Sequence, residues 1–147
     1  MEPRGEGRRR PENLGAIVAA IGGAIAVVGT VLEVASVQYA LDANHDITLS
    51  ANYVDTDNGK VVAAVGVVVM LVALATLIWR LTSGIPAIVL TGGGLAIFGF
   101  ALYDRFDLGS KSGSLSFGAA LYVVMAGGVI AALGGVLAAR ESISSTA

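Results

Sequence analysis

The chain has 147 residues, 55% hydrophobic and only 14% charged, with a net charge of −2 and a mean hydropathy of +0.79. A soluble domain typically carries about 25% charged and about 45–50% apolar residues. This composition excludes a disordered chain, a nucleic-acid binder and an ordinary water-soluble enzyme, and it indicates a membrane protein. With no cysteine, disulfides, thiolate metal sites, iron–sulfur clusters and thioether haem attachment are excluded. The single histidine, His45, precludes a bis-histidine haem within one chain.

In chain order, residues 1–13 form a basic tail with Arg4, Arg8, Arg9 and Arg10. Four apolar stretches follow, predicted as spanning helices over 14–36, 61–79, 85–103 and 115–139, with the apolar character of the first extending toward Leu41. Each is long enough to cross a hydrocarbon core of roughly 30 Å at about 1.5 Å per residue. Outer loops cover 42–60 and 104–114, and 140–147 is a C-terminal tail. The arginines before the first span also fit a cleaved or twin-arginine signal; the long apolar run and the three spans after it favour a retained helix. The expected fold is an all-α membrane protein, a four-transmembrane-helix bundle.

Arg4, Arg8, Arg9, Arg10, Arg80 and Arg140 fall on one side of these spans, and Lys60, Arg105 and Lys111 on the other. That imbalance predicts a bacterial inner-membrane protein with both termini cytoplasmic. Trp79, Tyr39 and Tyr103 lie near span ends, where amphipathic rings favour the headgroup level. The segment 80–84 is short enough to make the second and third helices antiparallel neighbours, with Ser83 placed as an N-cap and Pro86 in the first turn.

Small residues recur at helical spacing. The first span has Gly15, Ala19, Gly22, Ala26 and Gly29; the fourth has Ala120, Val124, Gly127, Ala131, Gly134 and Ala138; the third has a shorter set, Gly92, Ala96 and Gly99. In lipid, helices associate through close backbone approach at such positions. The first and fourth spans are therefore expected to pack through these faces, against each other or against another subunit. The valine-rich second span reads as lipid-facing. In the first outer loop, Ile47, Leu49, Ala51 and Tyr53 alternate with polar residues, the pattern of a short strand or hairpin.

Chemistry is sparse. Glu33 is the one carboxylate within an apolar stretch and is the candidate for ion transfer or interhelical hydrogen bonding, with Lys60 and Arg105 as partners. Glycine-rich helices with one such carboxylate resemble rotary-ATPase ring subunits. Glu33, however, lies roughly 27 Å beyond Gly15 along a helix, at the outer interface rather than mid-membrane. Asp42–Asp46 and Asp55–Gly59 resemble fragments of a calcium loop, but neither completes the ligand set, so turn chemistry is the simpler reading. His45 beside Asp42 and Asp46 is read as a solvated loop histidine rather than a metal ligand. Tyr103–Asp107 offers a local ion pair of small energy. Gly92-Gly93-Gly94 is no phosphate cradle, since it sits in an apolar span without a following lysine; close approach or a bend explains it. No triad, zinc motif or flanked carboxylate pair is present, so neither an enzyme nor a cofactor is expected.

Two segments, Val27-Val28-Gly29-Thr30-Val31-Leu32 and Asp55-Thr56-Asp57-Asn58-Gly59-Lys60, make the chain resemble a loose group of small four-helix membrane proteins of actinobacterial type. The proline–tryptophan pair of that group is replaced by Glu33-Val34. The resemblance implies an architecture and no activity. The expectation is an accessory or assembly subunit that packs against membrane helices through its Gly/Ala stripes. Its partners are membrane lipids and either a membrane protein or further copies of itself; nucleic acid is not among them. The alternatives are a small oligomeric transporter or channel, and an outer-loop binding module.

Overall fold

The computed structural model describes residues 13–42, 45–79, 84–111 and 116–146. The basic tail, Arg80 and Ser83 lie outside them. Four helices dominate: α1 (Leu14–Thr30), α2 (Asp57–Trp79), α3 (Gly84–Lys111) and α4 (Ala120–Thr146). α2, α3 and α4 are each long and apolar enough to cross a membrane; α1, at 17 residues, is shorter.

The helices form a closed ring. α1 packs on α2 and α4, and α3 packs on α2 and α4, while α1 and α3 barely meet across the centre. The α1–α4 and α3–α4 seams are the most extensive, and α2–α3 is the slightest. The buried core runs through Val62, Val69, Leu90, Ile97, Leu121 and Val124, with alanines filling the seams.

The elements differ from the sequence expectation in three places. The predicted span 14–36 stops as a helix at Thr30, where Val31 and Leu32 turn their amide N–H groups onto Val28 and Gly29. Glu33 therefore lies in no helix; it opens strand β1 (Glu33–Asp42), and its side chain lies outside the described residues. The α1–α4 register supplies the reason. Gly15, Gly22 and Gly29 face Ala138, Ala131 and Val124. Continuing that register sets Glu33 opposite Ala120, the first residue of α4, so a longer α1 would have no facing helix. Released from the seam, Val37, Tyr39 and Leu41 alternate with smaller or polar residues and suit a strand.

The second difference is in α3 and the loop expected over 104–114. α3 continues through this region to Lys111, bringing Asp104 into a helix. The third is α4, which begins at Ala120 rather than 115 and runs through the expected tail to Thr146.

At one end of the bundle, β1 pairs antiparallel with β2 (His45–Asn52), and β3 (Ser116–Phe117) adds two residues to its other edge, giving the order β2-β1-β3. A single-turn 3-10 helix, Tyr53–Asp55, leads from the sheet into α2.

Candidate functional site

Two seams engage eight of the 20 glycines. In the first, Gly15, Ala19, Gly22, Ala26 and Gly29 of α1 face Ala138, Gly134, Ala131, Gly127 and Val124 of α4. A Cβ on Gly22 would stand 2.3 Å from Ala131 N, and one on Gly134 would stand 2.3 Å from Ala19 N. Only hydrogen fits at such positions, and the spacing of seven residues along both helices keeps the same faces in contact. The second seam was not anticipated. Gly94 of α3 meets the Ala132 backbone, and Gly128 and Gly135 of α4 meet Phe98 and Thr91. Residues Gly128, Ala132 and Gly135 lie one position beyond the α1-facing set, so α4 presents small residues on two adjacent faces. Its doublets Gly127-Gly128 and Gly134-Gly135 are the signal that reveals this arrangement.

The third stripe behaves differently. A Cβ on Gly92 or Gly99 meets nothing within 4 Å. Both glycines are exposed, and Ala96 between them is half-buried. The run Gly92-Gly93-Gly94 thus faces three ways: Gly94 toward α4, Gly93 against Val69 of α2, and Gly92 outward. Gly99 and Ala96, with Asn58, Phe100 and Tyr103, line an open groove of about 430 Å³ along α2 and α3.

Near this groove, at the sheet end, lies a buried polar cluster. Tyr53 is fully buried and Asp104 nearly so. The Tyr53 hydroxyl donates to Asp104 Oδ2 at 2.6 Å, and Asn58 Nδ2 donates to Asp104 Oδ1. Burial, then the hydrogen bond and charge of Asp104, push the Tyr53 hydroxyl well above its ordinary range, so it remains a neutral donor. The backbone fixes the tyrosine on both sides. Its N–H donates to the Leu32 carbonyl, and its carbonyl accepts from the Thr56 N–H and hydroxyl. The Thr56 hydroxyl also accepts from the Gly59 N–H at 2.9 Å, which makes Thr56 the N-cap of α2. Gly59 is obligatory, since a Cβ there would overlap the Tyr53 carbonyl. The cluster thereby ties the 3-10 turn, the start of α2 and the end of α3 together.

The sequence pattern set Tyr53 in a strand or hairpin, Asn58 in turn chemistry and Asp104 in a loop. It missed the cluster because its members are separated in sequence and meet only when α3 extends past Tyr103. The other loop acids have separate tasks. Asp55 accepts from the Asn52 N–H, and Asp57 pairs with Lys60 at 3.4 Å on the surface. Among the described residues no three His, Asp or Glu side chains gather as a metal-binding group. Ala43 and Asn44 of the Asp42–Asp46 motif lie outside the described residues. Arg105 rests 4.9 Å from the centre of the Tyr122 ring, a cation–π contact joining α3 to α4.

Among the described residues, the two threonines buried within the helices bond to their own helix. Thr30 donates to the Val27 carbonyl and Thr76 to the Val72 carbonyl. At the opposite end, Glu141 Oε1 accepts from the Gly15 N–H at 3.2 Å, capping α1 from α4 in place of Asn13, whose side chain makes no cap.

No known family profile matches the chain, and no curated protein is similar to it.

Proposed function

We infer that this protein is a non-catalytic integral membrane protein, an accessory or assembly subunit that offers the outer face of α3 to another membrane helix. The observation carrying this reading is the open stripe Gly92, Ala96 and Gly99, flanked by exposed Leu95 and Ile88. The glycines of α1 and α4 are engaged within the chain, so the face available for a partner narrows from three stripes to this one. In lipid, small residues on an outward face allow a second helix to approach at backbone distance. The bundle lies in the bacterial inner membrane with both termini cytoplasmic, as the six-to-three split of basic residues indicates. A short β-hairpin caps its outer end. The buried threonines bond to their own backbone, which favours a packing role over a conducting one.

The test is Gly92→Leu with Gly99→Leu, which adds bulk to the open stripe without entering the bundle. The double variant should keep its helicity and lose association, measured by crosslinking in native membranes followed by gel filtration in mild detergent. An assembly of unchanged size would sink the reading.

A further inference from the structure

The groove between α2 and α3 ends on a polar group whose chemistry its neighbour dictates. Asp104 is buried, and among the described residues it has no ion-pair partner. Both its hydrogen bonds come from neutral donors, Tyr53 and Asn58. An ionised carboxylate only accepts, so Asn58 gives it the amide NH₂ and keeps Oδ1 as an acceptor. Among the described residues nothing donates to that oxygen, and Asn58 lines the groove. Two of the cations at this end are engaged elsewhere, Lys60 on Asp57 and Arg105 over Tyr122; the Lys111 side chain lies outside the described residues. In the 3-10, α2 and α3 segments at this end of the bundle, Asp55, Asp57, Asp104 and Asp107 stand against Lys60, Arg105 and Lys111. The rest of the lining is Ala96, Gly99, Phe100 and Tyr103. The groove therefore combines an apolar floor, an acceptor at its outer end and, behind that acceptor, a buried carboxylate without an ion-pair partner among the described residues.

We propose that the helix docked on α3 carries a lysine level with Tyr103, whose ammonium hydrogen-bonds Asn58 and offsets the charge of Asp104. The proposal rests on the reading of α3 as the docking face and adds the chemistry of the partner. A lysine in the last turn of a span lays its methylenes along an apolar surface and carries its charge to the headgroup level. The groove offers an apolar floor and a polar end in that order. The continuity of its floor with the small-residue stripe favours a helix over a lone lipid headgroup.

The test uses the full chain in phosphatidylcholine vesicles, whose quaternary headgroup has no N–H to donate. Energy transfer would measure binding of a synthetic single-span peptide with a small-residue stripe, carrying either lysine or glutamine at the outer level. The lysine peptide should bind about tenfold more tightly, as expected for a charge-assisted hydrogen bond. Asn58→Leu and Asp104→Asn, each checked for helicity and monodispersity, should erase that preference. Equal affinities that Gly99→Leu abolishes for both peptides would overturn the lysine and leave the α3 face standing. Binding that Gly99→Leu leaves untouched would overturn both. If phosphatidylethanolamine vesicles erase the preference, and native mass spectrometry finds that lipid on the wild type but not on Asn58→Leu, the ammonium belongs to a lipid and the helix lysine is overturned.

Discussion

Gly22→Ala measures how far the α1–α4 seam depends on hydrogen-sized side chains. The new methyl carbon would stand 2.3 Å from Ala131 N and 2.7 Å from the Gly127 carbonyl oxygen, both backbone atoms that no rotamer change can move. Ordinary contact begins at 3.4 Å, so α1 and α4 must part by about 1 Å at this level, enough to forfeit roughly a quarter to a half of each dispersion well across the gap. Overpacking of this kind costs about 1–3 kcal/mol. Replacing a helical glycine by alanine returns about 0.5–1 kcal/mol. Midway through those ranges the expected net loss is about 1 kcal/mol. Gly99→Ala is the control: its methyl meets nothing within 4 Å, so only the favourable propensity remains. Unfolding in mixed micelles with increasing sodium dodecyl sulfate, followed by far-ultraviolet circular dichroism, gives both values. Equal stability of Gly22→Ala and the wild type, or equal losses in the two variants, would refute the argument that this seam is closed within one chain.

Tyr53→Phe removes one of two donors to the buried Asp104 and should cost about 1–3 kcal/mol. Hydrogen exchange should show the loss first at the start of α2, which the tyrosine carbonyl helps anchor. The same residue predicts an alkaline limit. Its folded-state pKa lies above the unfolded value near ~10, so its contribution to stability is complete below that pH and is lost as pH rises above it. Stability measured from pH 9 upward should therefore fall more steeply in the wild type than in Tyr53→Phe; parallel curves would count against the buried neutral hydroxyl. Glu141→Ala removes the acceptor for the Gly15 N–H and should cost about 0.5–2 kcal/mol, with faster amide exchange confined to the first turn of α1.

Composition and small-residue spacing were sufficient for the four helices and for a small-residue face on α1 and on α4, because a stripe at helical period depends on one helix at a time; that these two faces meet each other was decided by the tertiary structure. They also marked Gly92, Ala96 and Gly99 as a third stripe. They did not distinguish a stripe that is filled from one left open, since that depends on which helix lies opposite. The α3–α4 seam through Gly94 and Gly128 was hidden for the same reason: α4 serves two neighbours, and adjacent faces blur into one glycine-rich run. The end of α1 at Thr30 was also illegible, because the apolar run continues to Leu41 while the supporting helix begins only at Ala120. The Tyr53–Asn58–Asp104 cluster came from tertiary structure alone. Its three residues sit in segments that read separately as strand, turn and loop, and only the extension of α3 beyond Tyr103 brings the carboxylate under the two donors. Local pattern set the kind of element and the size of its side chains; which surfaces are covered, and which buried charge needs a partner, followed from the order of the helices around the bundle.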